Sequence, residues 1–103
     1  MVKPIIFAQQ ARDEVNAAAR RYGAERPELR VEFHAAIKEA LDRMVRLSRH
    51  LGTSPLVDPG LGIKRVFVER FPFSVYFIEL PDRFRVLAVA HARRLPFYWR
   101  DRL

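Results

Sequence analysis

Near the C-terminus the chain places His91, Arg93, Arg94, Tyr98, Trp99 and Arg100 within ten residues. A histidine titrates near neutrality and can give or take a proton in a reaction. Arginines hold phosphates and stabilise charge that develops at phosphorus. An aromatic ring stacks on a nucleobase for about 1–3 kcal/mol. Together these are the side chains of a metal-free ribonuclease. They equally suit a polyanion or an acidic partner segment, because cations and aromatics crowd the exit of one strand. The same residues also have a purely structural reading. His91 can close the sheet with a backbone hydrogen bond, while Tyr98 and Trp99 cover the open edge of the core.

The remaining sequence offers little other chemistry. Gly60-Leu61-Gly62 is a turn signal with no helix behind it, so no glycine-rich phosphate loop is present. His34 and His50 fall on a helix surface, and no His, Cys and Asp spacing suits a metal. No cofactor is expected. No serine has a histidine and an acid in suggestive order, so nucleophilic catalysis has no support. There is no cysteine, which suits a reducing cytosol.

The net charge is +7, and sixteen of the nineteen cations are arginine. Arginine takes phosphates and carboxylates in bidentate pairs that lysine cannot copy. That balance implies nucleic acid or an acidic protein as partner. The apolar run at the N-terminus is too short for a signal peptide, and no run approaches the ~20 residues of a membrane span. A cytoplasmic protein without membrane contact is expected.

The elements that must position the C-terminal cluster follow from the pattern. Val2 to Ala8 reads as a strand. Gln9 to Tyr22 reads as a helix with Ala11, Val15, Ala18 and Tyr22 on one face, and Gly23 can end it. Pro27 suits the first position of a second helix. Its stripe is Phe33, Ile37, Leu41, Met44, Leu47 and Leu51, and Gly52 stops it. The short connection predicts an antiparallel helical hairpin. Residues 52–60, with two prolines and two glycines, read as a loop. Three strands follow, over 63–69, 73–80 and 84–91, with Phe71-Pro72-Phe73 at the first turn and Pro81-Asp82 at the second. The expected fold is α+β, in the order β-α-α-β-β-β. A helical hairpin packs on a small antiparallel sheet, because neither layer can bury itself alone. The length of 103 residues suits one domain, 1–103.

This order of residues resembles one family. Its parts are Ile5-Ile6-Phe7, Ala11 to Val15, and the Phe33, Ile37, Leu41 helix. The most specific stretch runs from Arg65-Val66-Phe67 through Phe71-Pro72-Phe73-Ser74-Val75-Tyr76 to Val86 to Arg94. It is similar to the RelE/ParE toxin superfamily, nearer the ParE branch, over nearly the whole chain. The resemblance implies the toxin of a type II toxin–antitoxin operon, of the plasmid-stabilisation kind, held in a hetero-oligomer by a cognate antitoxin. A ParE-like toxin inhibits DNA gyrase by binding. A RelE-like toxin cuts mRNA on the ribosome, and its catalytic candidates here would be Arg65, His91, Arg94 and Tyr98. The nuclease pattern also wants cations where Phe67 and Ser74 stand, which favours the ParE-like reading. Target-binding candidates are then Lys64, Arg65, Arg93, Arg94, Tyr98, Trp99 and Arg100.

Overall fold

The computed structural model describes residues 3–51, 60, 62–95 and 97–103. The elements are β1 (Ile5–Phe7), α1 (Gln9–Glu25), α2 (Pro27–Leu47), β2 (Ile63–Phe67), β3 (Phe73–Glu79) and β4 (Phe84–His91). Short 3-10 turns cover Ser48–His50 and Arg100–Arg102. The expected element order and the α+β class hold. The sheet order is β1-β4-β3-β2. The last three strands form the antiparallel meander, but β1 lies parallel to β4, so the sheet is mixed rather than wholly antiparallel. The helical hairpin lies between β1 and the meander in sequence, and such a crossover can deliver a parallel neighbour.

The hairpin turns on a single residue. Proline disfavours the helical region for the residue before it, and Arg26 accordingly sits at φ −151°, ψ 132° between the two helices. Gly23 does not end α1, which continues to Glu25. Its missing side chain serves the helix contact instead: a Cβ there would stand 3.2 Å from that of Arg30. The small Ala11, Ala18 and Ala19 on the buried face of α1 permit the same close approach.

The core between helices and sheet contains Phe33, Ile37, Ala40 and Met44 from α2 with Val66, Phe73, Val75, Phe77 and Val86 from the strands. Leu41 and Leu47 of the expected stripe are only half-buried, and Ala40 takes a central position instead. Tyr22, Phe33, Phe71 and Phe73 form an aromatic knot at one end, with ring centroids 4.9 to 6.4 Å apart. α2 ends at Leu47, before Gly52, because Ser48 turns into the sheet. Its hydroxyl donates to Glu79 and its carbonyl accepts the Lys64 ammonium at 2.6 Å. The loop expected over 52–60 lies outside the described residues, except Gly60.

β4 is buried on both faces from Val86 to Ala90. Helices cover one face. The C-terminal segment covers the other, with Trp99 packed on Ile63, Leu87 and Ala88. A β-bulge makes this possible. Tyr76 opposes Ala88 while Phe77 opposes Val86, so Leu87 is an extra residue. Leu87 and Ala88 therefore turn to the same face. Beyond the bulge His91 shares a face with Phe73.

Candidate functional site

On the face away from the helices, strand alternation brings Arg65, Phe67, Ser74 and Tyr76 to one side of β2 and β3. They line a depression of 200 Å³ with Ala90, His91, Arg94, Leu95, Tyr98 and Trp99. All four ribonuclease candidates, Arg65, His91, Arg94 and Tyr98, thus border one space. So do Phe67 and Ser74, which are directly paired across β2 and β3. Phe67 is 59% exposed, and the Arg65 guanidinium stands 4.6 Å from its ring centroid. The lining of the depression therefore has an aromatic ring where a nuclease of this pattern would place charge.

His91 is fixed at the end of β4. Its Nδ1 accepts the Arg93 N–H at 3.0 Å, and its ring stands edge-on to Phe73 at 5.2 Å. The expected backbone closure is also present, since the His91 carbonyl accepts the Arg94 N–H at 3.0 Å. Arg93 and Arg94 are exposed, and Arg94 stands over the Tyr98 ring at 4.0 Å. Leu95 is also exposed. Arg100 is exposed and approaches the Phe97 ring at 5.7 Å.

Two candidates are taken up within the structure. Lys64 faces the helix side of the sheet, opposite Phe77, and is spent on the Ser48 carbonyl. The period of two along a strand separates it from Arg65. Trp99 is 3% exposed and stacks at 5.0 Å on Tyr76, so it fills a core and offers no stacking surface. Trp99 covers the open edge of the core, as its structural reading expects.

No signal in the sequence marks the residue that holds the cluster together, Glu14 of α1. One of its carboxylate oxygens accepts the Val89 N–H at 3.0 Å and the Arg102 guanidinium at 2.8 Å. The other accepts the Tyr98 hydroxyl at 2.5 Å and Arg102 again at 3.2 Å. β1 pairs with β4 only as far as Val86, and Ala8 takes the Val86 carbonyl. Beyond it the edge of β4 has no strand partner among the described residues, and Glu14 supplies the acceptor that Val89 needs. Arg102 also donates to the Leu87 carbonyl at 3.1 Å, while Arg85 donates to the Arg102 carbonyl at 3.2 Å. Phe97 enters this segment with φ 66°, an uncommon conformation for a bulky side chain that turns the chain back onto the sheet.

Burial, then the bond to the Glu14 carboxylate, pushes the Tyr98 hydroxyl well above the ordinary tyrosine range. Tyr98 therefore keeps its proton and is a poor general base. The arrangement can bind anions along its arginines and apolar groups at Phe67 and Leu95. Among the described residues no group of three His, Cys, Asp or Glu side chains is placed to hold a metal ion. No helix among them is long and apolar enough to cross a membrane.

No family model matches the chain, and no curated protein does. Among solved structures it is similar to a chain of the "Chromosomal ParDE TA system from P. aeruginosa". The TM-score is 0.72 at 19% sequence identity, over 87% of this chain and 96% of the other. The two chains share a fold. In this fold the meander carries the depression, and the helical hairpin carries Glu14.

Proposed function

We propose that the chain is a ParE-like toxin of a type II toxin–antitoxin pair. A cognate antitoxin neutralises it in a cytoplasmic hetero-oligomer, and its target is DNA gyrase, which it inhibits by binding rather than by chemistry. The observation that carries the toxin reading is the fold shared over 96% of a ParDE-system chain. The observation that favours binding over hydrolysis is the pair Phe67 and Ser74 in the lining of the depression. An exposed aromatic beside arginines is the composition of an interface anchor.

A second reading rests on a specific observation of its own. Arg65, His91, Arg94 and Tyr98 border the same depression, as a ribosome-dependent mRNA endonuclease would require. Against it, the Tyr98 hydroxyl is committed to Glu14 and holds its proton. Charge stabilisation and proton transfer must act together in phosphoryl transfer, and here the proton-handling side is incomplete.

The purified protein should inhibit gyrase supercoiling and leave ribosome-bound mRNA uncut. Arg94→Ala should then give a graded loss of inhibition. A-site cleavage with no effect on supercoiling would refute the binding mechanism. In that case Arg94→Ala should lower cleavage about 10²–10³-fold, as expected for loss of a charge-stabilising donor.

A further inference from the structure

A second cavity, of 210 Å³, lies between α1 and the end of β4, and it shares His91, Arg94 and Tyr98 with the sheet-face depression. It exists because β1 is short. β1 covers β4 only from Phe84 to Val86, and beyond that α1 faces the strand through the small side chain of Ala17. Arg21 of α1 lines this cavity together with His91 and Arg94. Among the described residues neither arginine has a carboxylate oxygen within 4.0 Å.

The donors of this wall are free for a ligand. Arg94 stands over the Tyr98 ring, and an arginine held by its face keeps its N–H edge. The His91 Nδ1 already accepts a hydrogen bond, so the neutral ring carries its proton on Nε2 and donates from there. The carboxylate in the wall, Glu14, accepts four hydrogen bonds, and the Arg102 charge offsets its own. Glu25 does not line this cavity but a neighbouring depression, which it shares with Arg21, Tyr22 and His91.

We propose that Arg21, His91 and Arg94 form a binding site for a phosphate group, on the α1 side of the wall that His91 and Arg94 share with the sheet-face depression. Phosphate fits this set better than carboxylate does. A carboxylate has two oxygens in one plane and satisfies one guanidinium fork. A phosphate has a tetrahedral array that can meet two forks from different elements and an imidazole N–H at once. The group can belong to a free phosphomonoester or to a nucleic-acid strand crossing the strand end.

The test is an NMR titration of the full chain with inorganic phosphate at constant ionic strength, with acetate as control. Saturable shifts should appear at the His91 ring and at the amides flanking Arg21 and Arg94. Arg21→Ala and Arg94→Ala should each weaken binding about tenfold or more, as loss of a charged hydrogen bond predicts. Arg65→Ala, on the other depression, should change it by less than about twofold. A nucleoside monophosphate and a short single-stranded oligonucleotide separate the two sources: whichever binds more tightly, through the same arginines, identifies the ligand. No saturable response, equal weakening by Arg65→Ala, or acetate binding as tight as phosphate would overturn the site. Supercoiling inhibition without phosphate binding would sink the site alone, and phosphate binding without toxicity would sink the toxin reading alone.

Discussion

Replacing Glu14 with alanine tests how the C-terminal segment is held. The change leaves the Val89 N–H, the Tyr98 hydroxyl and the Arg102 guanidinium without their shared acceptor. A buried donor left unmet costs about 1–3 kcal/mol, and truncating one partner of a buried ion pair about 3–5 kcal/mol. These costs overlap, since one carboxylate serves all three groups. The side chains of Arg102 and Glu14 also keep 12% and 20% exposure, so water can recover part of the loss. The expected destabilisation is therefore about 2–4 kcal/mol. Glu14→Gln keeps an acceptor for Val89 and loses the charge, so it should cost roughly half as much. Urea denaturation followed by fluorescence suits the question, because Trp99 is the single tryptophan, belongs to this segment and is buried against the sheet. The native emission of Glu14→Ala should shift to the red as the segment loosens. Glu39→Ala, which breaks the exposed pair with Arg43 on α2, should be near neutral and serves as control. A loss below ~1 kcal/mol with unshifted emission would refute the claim that the carboxylate pins the segment.

Three further outcomes are expected. Ile37→Ala should cost about 2–5 kcal/mol in the same denaturation assay, because Ile37 is 5% exposed between the hairpin and the sheet. The fold holds the Tyr98 proton more tightly than the unfolded chain does, so its contribution is complete below pH ~10 and lost as pH rises beyond it. Tyr98→Phe should accordingly flatten the alkaline limb of a stability-against-pH profile. Phe67→Ala should change stability by less than about 0.5 kcal/mol, since the ring is mostly in water. It should weaken inhibition of supercoiling by about tenfold, as loss of an interface anchor would.

The helices, the meander and the core stripe were legible because each rests on a local signal. Pro27 broke the helical pair, the three-and-four spacing of Phe33 and Ile37 marked the buried face, and Pro81-Asp82 marked the second hairpin. Gly23 misled because a glycine serves a close helix contact as readily as a helix end, and only the neighbouring Arg30 decides between them. The mixed sheet was hidden because three residues of β1 carry no record of their partner's direction. Arg65, His91, Arg94 and Tyr98, which border one depression, stand out in the sequence because cations and aromatics beside a strand are conspicuous. Lys64 was grouped with Arg65 by adjacency, although neighbours on a strand face opposite ways. Glu14 had no signal at all. It lies 84 residues from Tyr98, and a carboxylate on a helix looks like any solvated charge until the strand edge beside it is seen.

The extra residue at Leu87 has a consequence for how such chains diverge. If the strand kept every residue but paired without the bulge, strict alternation from Phe84 would carry His91 to the opposite face. The wall shared by the two cavities would then be dismantled with every side chain of the cluster still present. Position here depends on register, so a shift of pairing in this strand is a different evolutionary hazard from a substitution. A comparison of two such chains that matches their apolar residues but ignores the bulge would equate the wrong positions from there to the C-terminus.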